Sequence, residues 1–172
     1  QTECADMAAR SVSLNGLDGL VRIDNGDIKE VSCNYKKASF DIVTSNPPYI
    51  KGSHGLENPD APKNIARHEV HVTLEQVVAA AEYALKPGGS FYMIHKPFRL
   101  AEIFECLHEH RLEPKRMQLV HPYIDKEPNM VIVEAVKGGN SMIKIDPPMI
   151  VYKAPGVYTE QLLATYEGSA KR

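Results

Sequence analysis

The chain has 172 residues, 43% of them hydrophobic, which is enough for one full-sized core and predicts a single globular domain. The formal net charge of -2 argues against nucleic-acid binding through a strong overall positive charge, and the three scattered cysteines argue against a disulfide framework. No apolar run is long enough to cross a membrane and no export signal is present, so we expect a reducing, cytoplasmic environment without membrane contact.

The hydrophobic pattern predicts strands that alternate with helices along the chain. The predicted helices are 2–14, 73–85 and 99–110, and the predicted strands are 20–23, 40–44, 91–94, 114–120 and 130–136. Segments 29–37, 50–67 and 121–129 are predicted as connections, and Lys86-Pro87-Gly88-Gly89 as the turn that ends the second helix. This alternation predicts an α/β fold with a parallel or mostly parallel sheet and helices on both faces, in which strand 40–44 is buried.

The most informative motif is Asn46-Pro47-Pro48-Tyr49, directly after strand 40–44. Two consecutive prolines end the strand and fix the backbone, so the Asn46 side-chain carbonyl and the Pro47 carbonyl become two positioned acceptors. Acceptors on both hydrogens of a conjugated amine free the nitrogen lone pair for attack on a methyl donor. Tyr49 adds a flat ring on which a planar base or amide can stack. The motif therefore predicts methyl transfer to an exocyclic amine or an amide, at a strand end where α/β folds bind ligands.

Ser45 to Tyr49 resembles the (N/D)PP(Y/F) motif of class I S-adenosylmethionine-dependent amino-methyltransferases. The resemblance implies a Rossmann-like sheet, S-adenosyl-L-methionine as the cofactor, and catalytic roles for the four residues of the motif. It also implies that Asn46 contacts the cofactor, together with Asp27 and Ile28 in the acidic loop Asn25-Gly26-Asp27-Ile28.

Segments 65–69, 119–122 and 150–152 resemble a bacterial family of tRNA adenine-N6-methyltransferases that modify the adenine beside the anticodon of a valine tRNA. The resemblance implies a tRNA partner bound by Tyr49, Lys51, Arg67 and His68. The oligomeric state is left open, and no metal is expected, because the histidine clusters at 67–71 and 108–110 lack the HExxH spacing of a metal site. Other basic residues that could contact phosphate are Lys63, Lys96, Arg99, Arg116 and Lys126.

The family's glycine-rich cofactor loop, and the acidic residue that ends its second strand, have no counterpart in residues 1–172. We therefore expect residues 1–136 to form a partial class I methyltransferase domain and residues 137–172 to form an extension packed on it. We also expect a preceding native segment whose two strands lie between the strand with Ile23 and the strand with Ile42.

Two other functions remain open. The same motif resembles that of protein-glutamine methyltransferases that modify release factors, although the segment after the motif favours the tRNA family. A non-catalytic remnant of the fold is the third reading, because the cofactor loop is not found.

Overall fold

The computed structural model describes residues 2–49 and 72–167, which form a mixed α/β structure. The helices of the described ranges are α1 (Thr2–Leu14), α2 (Val31–Asn34), α3 (Leu74–Ala84), α4 (Leu100–Glu109) and α5 (Glu160–Glu167). Their strands are β1 (Phe40–Ser45), β2 (Leu85–His95), β3 (Leu112–His121), β4 (Met130–Lys137), β5 (Lys144–Ile145), β6 (Met149–Ile150), β7 (Tyr152–Ala154) and β8 (Val157–Tyr158). Short 3-10 turns, Ile28–Glu30 and Pro97–Arg99, lead into α2 and α4.

The central sheet has six strands within the described residues, in the order β1-β2-β4-β3, with β5 and β6 both paired to β3. β1 is parallel to β2, while β4 is antiparallel to both of its neighbours, β2 and β3. β1, β2 and β3 therefore run in the same direction, which confirms the predicted mostly parallel α/β fold. Their carboxyl ends, at Ser45, His95 and His121, lie along one edge of the sheet.

The core lies where α3 and α4 pack on one face of this sheet. Phe91, Met93, Ile103 and Leu107 are almost completely buried there. The predicted helix at 73–85 is confirmed as α3, whose first turn is closed by a reciprocal capping box between Thr73 and Gln76. Burial alternates along β2 and β4, as expected for strands with one fully covered face.

The N-terminal region departs from the sequence prediction. The predicted helix at 2–14 is confirmed as α1, but the predicted strand at 20–23 is wrong: this segment is irregular and Leu20 is 84% exposed. A strand forms only where a neighbour satisfies its backbone groups, and no strand of the described residues lies beside this segment. The predicted connection at 29–37 is also wrong in part, because it contains α2.

β1 forms where it was predicted but is not buried. It lies at the edge of the sheet, paired on one side with β2, and the described residues place no strand on its other side. Ile42 is consequently 59% exposed and Phe40 38% exposed. The described part of the chain places no strand on that side of β1, and the expected preceding segment between Ile23 and Ile42 stays a prediction.

Segment 86–89 lies within β2, so the predicted turn after the helix is a bulge in a strand. The helix does end at Ala84, but β2 starts at Leu85 and its register against β1 shifts between Phe40 and Ile42. Gly88 adopts φ +78°, which glycine tolerates best, and a Cβ on Gly89 would come within 3.0 Å of the Asp41 carbonyl oxygen. The two glycines thus allow the bulge and the close approach of β1.

The remaining predictions concern the connection at 50–67, the domain division and membrane crossing. The connection at 50–67, with Lys51, Lys63 and Arg67, lies outside the described residues, as does His68. The domain division after residue 136 stays a prediction, although β5 and β6 pair with β3. Among the described helices, none combines the length and the apolar character that a bilayer crossing requires.

Candidate functional site

The Asn46-Pro47-Pro48-Tyr49 motif leaves β1 at the carboxyl edge of the sheet. Asn46 is exposed, Pro47 is buried, and Pro48 and Tyr49 are half-buried. The buried Pro47 ring anchors the corner, because a pyrrolidine with fixed φ cannot swing away from its packing neighbours. The Asn46 amide therefore faces outward from a fixed corner rather than into the apolar interior.

Tyr49 and Asn46 contact each other across this corner. The Tyr49 hydroxyl donates a hydrogen bond to Oδ1 of Asn46. The carbonyl predicted as an acceptor for a substrate amine thus already accepts a polar hydrogen, which shows that its lone pairs are directed toward the space beside Tyr49.

The Tyr49 ring is held by the two residues at the carboxyl end of β2 and just beyond it. The His95 ring meets it edge to face, with centroids 5.4 Å apart and planes at 80°. The Lys96 ammonium lies 5.5 Å from the Tyr49 ring centroid, at a distance typical of a cation–π contact, and also donates to the Asn129 carbonyl at 3.1 Å. Lys96 therefore connects the motif to the loop between β3 and β4.

Arg99 fixes the backbone of Tyr49. Its Nη1 donates to the Tyr49 carbonyl oxygen at 3.1 Å, while Nε and Nη2 form a two-pronged pair with Glu102 at 3.0 and 2.8 Å. Arg99 is only 6% exposed, so a guanidinium there is stabilised by these charge-assisted bonds. The prediction that Arg99 contacts phosphate is wrong for this reason.

Sequence reasoning did not identify His95, Lys96 and Arg99 as neighbours of the motif. The signal was available: parallel strands present their carboxyl ends at the same edge, so residues after β2 should lie beside residues after β1. The predicted strand stopped at residue 94, one residue too early to suggest this.

Asp27 and Ile28, predicted to bind the cofactor, line a cleft of about 450 Å³. Asp27 caps the 3-10 turn: its Oδ1 accepts from the Lys29 amide at 2.9 Å and its Oδ2 pairs with the Lys29 ammonium at 3.2 Å. A carboxylate has about four acceptor positions, so one Asp side chain can serve several donors at once. The other lining residues are Arg22, Ile23, Asp24, Asn25, Gly26, Val31, Asn34 and Tyr35.

A polar network forms one side of this cleft. Arg22 donates to Asp24 through Nε at 2.9 Å and through Nη2 at 2.6 Å, and the Tyr35 hydroxyl donates to the same carboxylate oxygen. The hydrogen bonds from Arg22, and then from Tyr35, lower the pKa of Asp24. The network keeps the Asp24 carboxylate ionised and paired with Arg22 on this side of the cleft.

A second, apolar cleft of about 290 Å³ joins the first to the end of β1. Ile28, Val31 and Tyr35 line both clefts, and Ser45, which precedes Asn46, lines the second. A flat heterocycle with exocyclic donors fits the combination of the apolar Ile28 and Val31 side chains with the Asp27 acceptor. The residues present are therefore compatible with the adenine part of S-adenosyl-L-methionine.

Within residues 2–49 and 72–167, no group of three or more His, Cys, Asp and Glu side chains is arranged to hold a metal ion.

Comparison with known proteins identifies relatives of one kind. The chain is 27% identical over 168 residues to the tRNA1(Val) (adenine(37)-N6)-methyltransferase of Porphyromonas gingivalis, a match covering 95% of this chain and 65% of the relative. A protein of the same name from Parabacteroides distasonis is 31% identical over 96 residues, covering 55% of this chain and 39% of the relative. The chain thus spans about 65% of the length of the first of these relatives. No protein-family model matches it.

Among solved structures, the fold is similar to that of a "predicted O-methyltransferase" from Agrobacterium tumefaciens. The TM-score is 0.74 at 20% sequence identity, and the match covers 98% of this chain and 74% of that one. The chain therefore shares the α/β fold of that structure.

Proposed function

We propose that the protein transfers a methyl group from S-adenosyl-L-methionine to the exocyclic amine of an adenine in tRNA, beside the anticodon. The fold and the relatives' names support methyl transfer, and the names support tRNA adenine as the acceptor. We place the reaction in the cytoplasm, where tRNA is modified.

One observation carries the proposal: an exposed Asn46 carbonyl, on a proline-fixed corner at the carboxyl edge of the sheet, already accepts a hydrogen bond beside an aromatic ring. An adenine amine needs an acceptor of this kind in this position. Because Pro47 is buried, the backbone that carries the acceptor is in place before the substrate arrives, and only the Tyr49 hydroxyl has to give up its hydrogen bond to Asn46.

In this mechanism the target adenine leaves its loop and stacks on Tyr49. Extruding a base from an unpaired loop costs less than extruding one from a duplex. The amine then replaces the Tyr49 hydroxyl as the donor to Asn46 Oδ1, and its second hydrogen is accepted by the Pro47 carbonyl oxygen. Both bonds draw electron density toward the nitrogen and orient its lone pair.

The cofactor supplies an electrophilic methyl group on a sulfonium sulfur. The chain contributes Asp27 as an acceptor for the cofactor's adenine and Ile28 as an apolar surface against it. Arg99, by holding the Tyr49 carbonyl, keeps the stacking ring and Asn46 in register with each other. Lys51, Arg67 and His68 complete the proposed RNA contacts, and residues 137–172 are proposed as an extension of the same domain.

Replacing Asn46 with alanine tests the central step. We expect Asn46→Ala to lower kcat on unmodified tRNA about a hundredfold, the scale for losing one positioned polar group. The melting temperature should hardly change, because the side chain is exposed. A matched control is Asn140→Ala, which removes another exposed asparagine amide, near β5, and should leave kcat unchanged.

The assay should use the natural full-length protein with labelled cofactor and two acceptors, unmodified tRNA and a release factor. Label in N6-methyladenosine of tRNA supports the proposal. Label in a glutamine of the release factor would assign the alternative activity, and unchanged turnover of Asn46→Ala on tRNA would remove Asn46 from the mechanism.

A further inference from the structure

Three tyrosines outside the proposed catalytic corner form a continuous row of ring contacts, an aromatic ladder. The rings of Tyr123 and Tyr152 have centroids 5.6 Å apart at an angle of 35°, and those of Tyr152 and Tyr158 are stacked at 5.1 Å and 20°. Tyr152 and Tyr158 are direct partners across the β7–β8 pair, which explains how the ladder is held. Tyr158 is 47% exposed, so the ladder reaches the surface.

The ladder borders a cleft of about 410 Å³. Tyr123, Ile124, Tyr152 and Lys153 contribute to its lining, and the Ile124 side chain is 85% exposed. The half-buried rings of Tyr123 and Tyr152 and the exposed Ile124 side chain around one cleft favour a flat, apolar ligand, since apolar surface is stabilised by being covered.

The cleft lies on the same edge of the sheet as Asn46. β3 ends at His121, whose carbonyl accepts from the Val151 amide at 2.9 Å, and the Pro122 carbonyl accepts from the Tyr152 amide at 2.9 Å. The ladder is therefore fixed to the carboxyl end of β3. β3 lies two strands from β2, which corresponds to about 10 Å at the usual strand spacing.

Lys96 links the two places directly. Its ammonium lies over the Tyr49 ring and donates to the carbonyl of Asn129, in the loop that also carries Tyr123 and Ile124. A single-stranded RNA whose target base stacks on Tyr49 would pass its neighbouring nucleotides along this edge.

We propose that the tyrosine cleft, the surface formed by the cleft-lining residues Tyr123, Ile124, Tyr152 and Lys153 and by the adjoining Tyr158 ring, binds unpaired bases that flank the target adenine. This inference rests on the proposed function and extends it by assigning a second RNA subsite. The rings of the ladder cover one another's inner faces, so a flanking base would stack on the exposed ring of Tyr158 that ends the ladder, and stacking of this kind is tolerant of base identity.

Local charge indicates that stacking, rather than phosphate attraction, dominates in this cleft. Asp125 also lines it and pairs with Lys126 at 3.4 Å, which reduces the local positive charge. Lys153 is then the basic side chain of the lining that can reach a phosphate. Removing a tyrosine should weaken RNA binding without altering its salt dependence, whereas removing Lys153 should reduce the salt dependence by about one phosphate contact.

The test compares Tyr158→Ala, Tyr158→Leu and Tyr158→Phe in the natural full-length protein. We expect the alanine and leucine variants to raise KM for tRNA about tenfold with kcat unchanged, and the phenylalanine variant, which keeps the ring, to behave as wild type. Leucine retains apolar packing, so it reports on the ring face even if alanine loosens β8. Tyr166→Ala, on α5 and 71% exposed, is the matched control with no expected effect.

A binding measurement separates this inference from the proposed activity. An anticodon stem-loop RNA carrying 2-aminopurine beside the target adenine should lose fluorescence on binding to wild type, and less so with Tyr158→Leu. Wild-type methylation of tRNA with an unchanged KM and unchanged quenching for both Tyr158→Ala and Tyr158→Leu would overturn the inference and leave the activity standing. Absence of tRNA methylation by wild type would overturn the proposed activity. The inference about the tyrosine cleft would then depend only on whether Tyr158→Leu reduces the fluorescence loss. Loss of release-factor rather than tRNA binding in these variants would make the cleft a protein site and overturn the inference.

Discussion

The two ends of the sheet differ in how they are stabilised. Along 74–137, helices α3 and α4 bury one face of β2, β3 and β4, and Val78, Ile103 and Leu107 are fully buried. Along 2–45, α1 buries none of its side chains, and among the described residues the only strand paired with β1 is β2. Both regions contain regular structure, but 2–45 contributes only partly buried side chains, such as Ile28 and Val43, to the core.

This difference shows how the proposed catalytic corner is built. Asn46 and Tyr49 leave β1, the less covered strand, yet every contact described for the Tyr49 ring and carbonyl comes from residues at the end of β2. The residues at the end of β2, in the better buried region, therefore position the groups that follow the exposed strand β1.

The largest expected effect is on the stability of the core. Phe91→Ala should lower the free energy of unfolding by about 3 to 5 kcal/mol, because it leaves a cavity among fully buried side chains. In a protein of residues 1–172 alone, Ile42→Ala on the exposed β1 should cost less than about 1 kcal/mol. Urea denaturation of both variants measures the contrast. A cost for Ile42 close to that for Phe91 would break the comparison, since it would mean that β1 is covered in solution.

The next effect concerns the buried arginine. Arg99→Met should cost about 1 to 3 kcal/mol, because Glu102 loses its partner and the Tyr49 carbonyl loses a donor. The control is Arg10→Met in α1, where the pair with Asp6 is exposed and worth no more than about 0.5 kcal/mol. Thermal unfolding of the two variants checks this contrast, and equal costs would contradict the assigned role of Arg99.

The loss of Arg99 should also affect activity. At a temperature where the Arg99→Met variant is fully folded, kcat should fall by a larger factor than KM changes, because the motif backbone at Tyr49 is held less precisely. A purely structural arginine would leave kcat intact under those conditions.

The smallest effect is chemical and requires no substitution. Burial, and then the nearby Glu75 and Glu109, raises the pKa of the Cys106 thiol to about 11, so at pH 8 only about one molecule in a thousand carries the reactive thiolate. Cys4 and Cys33 are exposed. Intact-mass analysis after alkylation at pH 8 should show two fast additions and a third only on unfolding. Three additions at one rate would contradict the burial of Cys106.

The sequence predicted the elements of the core well, because their patterns are local. α3 has a capping signal at Thr73 and helical spacing, and 130–136 in β4 is apolar except for Glu134, so the local pattern alone identifies both. The segment 20–23 has equally suitable residues for a strand. It fails to form one because strand formation depends on a neighbour, which local residue patterns do not encode.

The candidate site divides in the same way. Asn46 to Tyr49 were recognisable because prolines after a strand restrict the backbone in a predictable manner. Arg99 and Lys96 were predicted as possible phosphate contacts, because the sequence does not distinguish a buried basic residue from an exposed one. Only the arrangement of strand ends shows that one of them holds the Tyr49 carbonyl and the other faces its ring.

The insertion of β4 between β2 and β3 has a consequence for how the protein is made. β2 and β3 emerge from the ribosome before β4. They are not paired with each other in the sheet and are joined only through β4, which ends at Lys137. The sheet edge that carries His95 and His121 therefore cannot be completed until most of the chain has been synthesised. Such late, non-local pairing slows folding and leaves β2 and β3 exposed to wrong partners in the interval.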